Sequence, residues 1–472
     1  MRNRKTRRVT ARYKWDRLKV SFWFAPVVMS LGAILLAWAM YWVDGLIPNE
    51  MLENSHFILA GTPGELRTML IGMAGTILAT AGVVFTLLTL PLSTVAAQYG
   101  SRLLRVFLGD RTTQLVLGMF VATFVYCLAA ALSIPPANVE PEGPQLTATI
   151  GLLLMLGTFA SLILLVQHIS TMLQAPNIAA AAGAELRDVV RAEIPEEVMS
   201  GDDGRGGFET RPYTRPDNRP DTRPHTQDAQ DTLTAENTVM ETDGHAVRVR
   251  ETGYIQYIDP EAMLTLAREK NLVIRLLCKP GHFVWREAVV ALVWPTSRVD
   301  EQLEGQILMA FQLGNGRTPT QDVAYAVNQL VEMAVRAMSP AINDPFTAMT
   351  CLDYIGEGLA LFIRQGEKGS HYYDRDGRLR LILEPVTFGE LLDGAFDMLR
   401  HCSCDNASVL LHMLEVIDAV GQETKPPEAR QELLRHVSLI QAESLAGELI
   451  EQDRQLIQRS SGALQTKLKE AP

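Results

Sequence analysis

Apolar residues crowd into the first third of this chain, and almost every long apolar run falls before Leu173. Four runs are long enough to cross a hydrocarbon core as helices, which takes roughly 20 residues. They cover residues 20–43, 66–97, 112–134 and 147–173. An Ala-rich helical stretch follows to residue 194. The pattern then turns polar, with the tetrapeptides Thr210-Arg-Pro-Tyr, Thr214-Arg-Pro-Asp, Asn218-Arg-Pro-Asp and Thr222-Arg-Pro-His in succession. Recurrent proline forbids helix, so this segment reads as an extended, flexible linker.

Beyond the linker the period becomes strand-like. Strands are predicted at 247–250, 253–258, 272–278, 288–293 and 306–313, with a short helix over 260–270 that opens at Asp259-Pro260. Helical spacing resumes at Thr318-Pro-Thr-Gln321, where Thr318 suits a cap and Gln321 a capping box. That helix stops at Ser339-Pro340, and Asp344-Pro345 opens the next. Further helices cover 388–401, 407–420 and 427–445, before a polar last stretch.

These segments define a mainly α integral membrane protein followed by an α+β region. A basic N-terminus (1–19) leads into a four-helix transmembrane domain (20–175) and a juxtamembrane helix (176–194). A Pro-rich linker (195–244), a small β-rich domain (245–315), a helical domain (316–460) and a tail (461–472) complete the chain.

Charge orients the four spans. The first nineteen residues carry nine cations against Asp16, and the second connection carries Arg102, Arg105 and Arg111. The first and third connections hold only acidic charges. Cations stay on the cytoplasmic side, so the N-terminus and everything after the fourth span are expected in the cytoplasm. Arg102, Arg105, Asp110 and Arg111 flank Leu103, Leu104, Phe107 and Leu108, the pattern of a helix lying in the inner interface.

The second span carries small or hydroxyl residues at spacings of three and four: Gly72, Gly75, Ala79, Gly82, Thr86, Thr89 and Ser93. Such a row lies along one side of a helix and lets backbones approach closely in lipid. Two readings stand: packing inside its own bundle, or a self-associating, pore-lining face. The spans lack deep carboxylates, which lowers a proton-relay mechanism.

The net charge of −11 lies in the part after the basic N-terminus, which excludes general nucleic-acid binding. Five cysteines form no disulfide framework, and Cys402 and Cys404 beside His401 do not match a zinc spacing. No nucleotide-binding loop or nucleophile elbow is present, so neither a cofactor nor an enzymatic activity is expected.

Three stretches carry a family likeness. The run Val95-Ala-Ala-Gln-Tyr-Gly-Ser-Arg-Leu-Leu-Arg-Val-Phe-Leu-Gly-Asp-Arg-Thr-Thr-Gln-Leu-Val-Leu-Gly118 is one. The others are Gly316-Arg-Thr-Pro-Thr-Gln-Asp322 and Gln329-Leu-Val-Glu-Met-Ala-Val-Arg-Ala-Met-Ser-Pro-Ala-Ile-Asn-Asp-Pro-Phe-Thr-Ala348. Together they resemble a family of bacterial membrane proteins known as domain of unknown function 2254. The resemblance implies location in the bacterial inner membrane and no particular chemistry. Within the last motif, Arg336, Ser339, Pro340, Asn343, Asp344 and Pro345 form a tight turn between helices, where Arg336 can pair with Asp344 and Asn343 can bond the turn backbone.

The expected partners are the lipid bilayer and further copies of the chain, with a cytoplasmic ligand or protein as a third. The leading functional expectation is an oligomeric channel-like pore with a cytoplasmic vestibule or regulatory domain. The alternative is a membrane-anchored sensor or interaction module that transports nothing.

Overall fold

A computed structural model describes residues 23–46, 58–59, 61–99, 110–134, 144–172, 174–192, 209–211, 244–374 and 376–470. The basic N-terminal segment, Arg102 and Arg105, and nearly all of the proline-rich linker lie outside the described residues. The chain forms two compact units, 1–178 and 179–472. Among the described residues, five helices are long and apolar enough to cross a membrane, four in the first unit and one in the second.

The first unit contains α1 (Phe24–Asp44), α2 (Pro63–Tyr99), α3 (Arg111–Ser133) and α4 (Gln145–Met172). All four lie within a few residues of the expected spans. α2 runs without a break past Pro91. The buried positions hold many small or hydroxyl residues: Ala33, Ala37, Ala74, Ala130, Ala131, Thr123 and Thr158. Small side chains let these helices close on one another. A Cβ on Gly118 of α3 would stand 3.4 Å from the Pro26 backbone of α1. Asp44, at the end of α1, caps α4 by accepting from the backbone N–H groups of Leu146 (2.9 Å) and Thr147 (2.8 Å).

α5 (Ala175–Ala192) carries the chain onward. In the second unit, β2 (His245–Arg248), β3 (Gly253–Ile258), β4 (Val273–Leu276), β5 (Phe283–Val284), β6 (Val289–Trp294) and β7 (Phe311–Gly314) precede a series of six helices among the described residues. Helices α6 (Pro260–Lys270) and α7 (Glu301–Leu308) lie between strands. A short strand β1 (Glu209–Arg211) and the hairpin of β8 (His371–Tyr373) and β9 (Leu379–Ile382) complete two sheets. Their orders are β1-β8-β9-β4-β6-β2 and β5-β3-β7. Every pairing is antiparallel except β4 with β9. Val247, Ile255, Met263, Ile274, Val290 and Leu381 join strands and α6 into one core.

The helices are α8 (Val323–Ala337), α9 (Pro345–Gln365), α10 (Phe388–Cys402), α11 (Ala407–Glu423), α12 (Pro427–Ala446) and α13 (Glu451–Glu470). α9 is the fifth apolar helix, and Cys351, Leu352, Ile355, Leu359 and Phe362 bury its inner side within the unit.

Several expectations need correction. Residues 306–308 are helical, because Asp300 caps α7 by accepting from Leu303 N–H at 2.7 Å. Thr318 is not a cap; Asp322 caps α8 through Tyr325 N–H. Asp322 is fixed there by two hydrogen bonds from Arg317, both 2.8 Å. Gln321 closes no capping box; its amide bonds both N–H and C=O of Ile258, at 2.9 and 3.0 Å, like a strand partner. The stretch after 316 is not wholly helical, since β8 and β9 join the sheet. Thr210 and Arg211, in the segment expected to be a flexible linker, lie in β1 opposite Tyr372 and His371. The helix α13 passes the expected boundary at 460, and Leu464 and Leu468 are buried.

Candidate functional site

The row on α2 is the feature that sequence singled out most sharply. The structure turns it away from the bundle. Leu66, Leu70, Met73, Ala74, Ile77 and Val84 face inward, whereas Gly72, Gly75, Ala79, Gly82, Thr86 and Thr89 are exposed. Among the described residues, a Cβ placed on Gly72, Gly75 or Gly82 would meet nothing within 4 Å. Among the described residues, the side of α2 that is buried in the bundle is the opposite one. The side chain of Ser93 lies outside the described residues. The hydroxyls of Thr86 and Thr89 bond carbonyls of their own helix, Gly82 O at 3.1 Å and Thr86 O at 3.0 Å. An internally satisfied hydroxyl can face an apolar surround at low cost.

Asp110 and Arg111 stand where α3 begins. Asp110 accepts from the N–H and hydroxyl of Thr113, both at 2.7 Å, and from His168 Nε2 of α4 at 3.1 Å. Burial alone would raise its carboxyl, but these hydrogen bonds and the nearby imidazole hold it below the usual range. This clamp between α3 and α4 joins residues 58 positions apart, so no local motif announced it.

A family model described as a predicted membrane protein, DUF2254, matches residues 19–419. The chain belongs to the DUF2254 family. It is 25% identical over 436 residues to the uncharacterized protein Rv1290c of Mycobacterium tuberculosis, covering 90% of this chain and 76% of that one. The uncharacterized protein Mb1321c of Mycobacterium bovis shows the same identity and coverage. No solved structure matches it.

The DUF2254 turn between α8 and α9 is built by its backbone. Ser339 O accepts from Ile342 N–H (3.0 Å) and Asn343 N–H (2.9 Å), and Ala337 O accepts from Asp344 N–H (2.8 Å). Asn343 adopts a left-handed φ of 50°, which asparagine tolerates better than most residues. Asp344 caps α9 through Thr347 N–H at 3.1 Å and the Thr347 hydroxyl at 2.6 Å, with Pro345 in the first turn. Arg336 reaches Glu332 at 3.1 Å. Ser339 donates to Arg336 O at 2.6 Å, which ties its hydroxyl into the turn.

The second unit of this DUF2254 chain also holds a cleft of about 90 Å³, lined by Leu276, Cys278, Lys279, Gln321, Tyr372 and Glu384 among others. Lys279 reaches both carboxylate oxygens of Glu390, at 2.8 and 2.9 Å. Burial and the nearby Glu384 push the Cys278 thiol up to about 12, so it stays protonated and is a poor nucleophile. Burial, and after it the nearby Lys279, hold the His282 imidazole below its usual range. The cleft therefore offers shape and two lysines, Lys279 and Lys368, beside a thiol that is not activated.

A second cluster, Asp393, Asp397 and His436, places three ligand atoms within 4.8 Å of one another. Arg435 bonds Asp393, and Arg400 bonds Asp397 at 3.2 Å. His436 Nε2 lies 3.1 Å from Asp393. Two guanidinium groups already neutralise these carboxylates, so the donors make an ion-pair network into which a metal would enter only by displacing arginine.

Proposed function

We propose that this chain is a multi-pass protein of the bacterial inner membrane. In this reading α1 to α4 span the bilayer, both termini are cytoplasmic, and copies associate along the small-residue side of α2. The assembly is a homo-oligomeric, channel-like pore, and the region after α4 serves as its cytoplasmic vestibule or regulatory domain. One observation carries the reading: the small-residue row of α2 faces out of its own bundle and leaves the helix backbone accessible. Elsewhere the same bundle presents large apolar groups outward, among them Leu31, Leu35, Trp38, Leu132 and Ile163. Lipid accepts those side chains readily, whereas a bare glycine row gains most from a closely packed helix. Closed rings of identical subunits repeat one interface.

The test is disulfide capture in native membranes. Gly75→Cys and Gly82→Cys should each give cross-linked oligomers on mild oxidation, and Ile163→Cys on α4 should not. Gly82→Leu should dissolve the oligomer and change the conductance of reconstituted bilayers. A chain that stays monomeric in membranes, with no cross-link at either glycine position, removes the pore and leaves the anchored-sensor reading.

A further inference from the structure

The cleft of the second unit opens where two neighbouring strands part. β4 and β9 are parallel, with Ile274 opposite Leu381 and Arg275 opposite Ile382. Their carboxyl ends therefore point the same way. The cleft is lined by the residues that follow both: Cys278, Lys279 and Pro280 after β4, and Leu383, Glu384 and Pro385 after β9. Beyond these residues the two paths separate. One enters β5, which belongs to the other sheet, and the other enters α10. A crevice at the carboxyl ends of parallel strands whose continuations diverge is a preferred place for a ligand.

The walls are set before anything binds. Gln321 is held to Ile258 through both ends of its amide, and Leu383 N–H donates to Ser370 O at 2.8 Å. Ile258, Leu276, Tyr372 and Leu383 give the cleft an apolar lining, and its charged side chains are Lys279, Lys368 and Glu384. Charges of opposite sign thus border one small volume, and Lys279 and Glu384 do not pair with each other. Lys279 turns instead to Glu390, whose two oxygens meet its Nζ at 2.8 and 2.9 Å. An ammonium has three donors, so one remains for a further acceptor. Glu384 is exposed and acts on both the Cys278 thiol and the His282 imidazole, and Lys279 acts on the same imidazole. Both charges therefore stand close to this turn.

We propose that the cleft binds a free α-amino acid with an apolar side chain. Its carboxylate takes the remaining donor of Lys279, with Lys368 adding positive charge, and its ammonium meets Glu384. Its side chain lies against Leu276, Tyr372 and Leu383. A monocarboxylate would face Glu384 as a like charge, and a simple amine would face the lysines; only a ligand with both charges answers both. Size limits the side chain. The cleft measures about 90 Å³, and an apolar cavity of ~150 Å³ admits benzene, so a branched side chain of about four carbons suits it. The inference concerns the second unit alone and stands whether or not the first unit conducts.

The experiment titrates the full chain in detergent micelles with L-leucine, L-valine and L-methionine by calorimetry. Isocaproate, which lacks the ammonium of leucine, and isoamylamine, which lacks its carboxylate, are the comparison ligands. At least one of the amino acids should bind, and L-leucine should slow hydrogen exchange around Cys278 and Leu383. Isocaproate and isoamylamine should each bind about 10- to 100-fold more weakly, the worth of one charge-assisted hydrogen bond. Glu384→Gln, at an exposed position that leaves the fold intact, should weaken L-leucine by the same factor and isocaproate not at all. Isocaproate binding as tightly as L-leucine would make this a monocarboxylate site and overturn the proposal. So would L-leucine binding that Glu384→Gln does not weaken, because the ligand would then lie elsewhere. Neither heat nor slowed exchange with any of the three amino acids, up to their solubility, overturns it outright.

Discussion

The two units differ most in what they leave outside. In the first, alanines and threonines share the interior with Leu70, Ile77, Phe120 and Tyr126, while Leu35, Trp38, Leu132 and Ile163 point outward. In the second, Leu272, Ile274, Val290, Leu381 and Phe396 fill the interior, and charges such as Lys467 with Asp418 and Arg187 with Glu357 occupy the surface. The polar groups differ in the same sense. Hydroxyls of α2 bond carbonyls of their own helix, as Thr76 does with Gly72 at 2.9 Å and Thr80 with Thr76 at 2.8 Å. Both units join distant elements through carboxylates, Asp44 and Asp110 in the first, and the second adds guanidinium groups such as Arg380 and Arg187. Water drives large apolar groups inward, whereas lipid removes that drive and leaves close packing and internal hydrogen bonds to hold helices together. One chain is therefore folded under two sets of rules, and substitutions should have different consequences on each side of residue 178.

The largest effect should come from a buried charge, and among the described residues the fully buried charged side chains Asp322, Asp374 and Arg380 lie in the second unit. Arg380, 5% exposed, donates to Asp374 at 2.6 Å and to Asn271 Oδ1 at 2.7 Å. Arg380→Ala strands the Asp374 carboxylate and should cost about 3–5 kcal/mol, as breaking a buried pair does. Hydrogen exchange across β8 and β9 in the full chain should report the loss. Acid gives the same answer by another route. Burial alone would raise Asp374, but N–H groups of Arg378 and Asp376 and the Arg380 guanidinium hold it below its ordinary value. A carboxyl lowered on folding stabilises fully above its unfolded pKa of about 3.9 and loses that contribution as pH falls through the folded value. Protection of the hairpin should hold from neutral pH to about 4 and decline below that. Protection that is already lost by pH 6 would place its origin elsewhere.

A middle-sized effect separates packed glycine from open glycine. On Gly183 a Cβ would sit 2.6 Å from the Tyr354 ring and 2.9 Å from its Cβ. Gly183→Val should therefore overpack α5 against α9 and destabilise by about 1–3 kcal/mol. Gly75→Val meets nothing within 4 Å among the described residues, so subunit stability should be unchanged while association along α2 suffers. Thermal unfolding of both variants, with native mass measurement of the oligomer, checks the pair. Equal destabilisation by both substitutions would erase the contrast.

How far these rules could be read in advance depended on distance along the chain. The four apolar helices, α6 with its Asp259 cap, and α9 with its Asp344 cap were legible because hydropathy and capping are local. The α2 row was legible as one side of a helix, but periodicity says which residues share a side and is silent about what that side meets. Gln321, read as a capping residue, closes on the edge of β3 because its partner Ile258 lies 63 positions away. The β8–β9 hairpin carries Asp376-Gly377 at its turn, a local signal, yet its parallel pairing with β4 spans about a hundred residues and leaves no local trace. The Asp110–His168 clamp and the Asp393 cluster escaped for the same reason.

The smallest effect tests the interior of the first unit. Thr123 on α3 and Thr158 on α4 share a hydrogen bond of 2.9 Å in a buried position. Intuition from dry media assigns such a bond a large worth, but the separated helices also find partners for their hydroxyls. Thr158 already donates to Leu154 O of its own helix at 2.7 Å, so Thr123 is the donor between helices. Thr123→Val keeps the shape and removes that donor, and the loss should be only about 0.6 kcal/mol, as measured for interhelical bonds in membranes. Unfolding of the variant in mixed micelles by denaturing detergent measures it. A loss of several kcal/mol would mean that these helices hold together as a water-soluble core does, and the contrast between the two units would collapse from the membrane side.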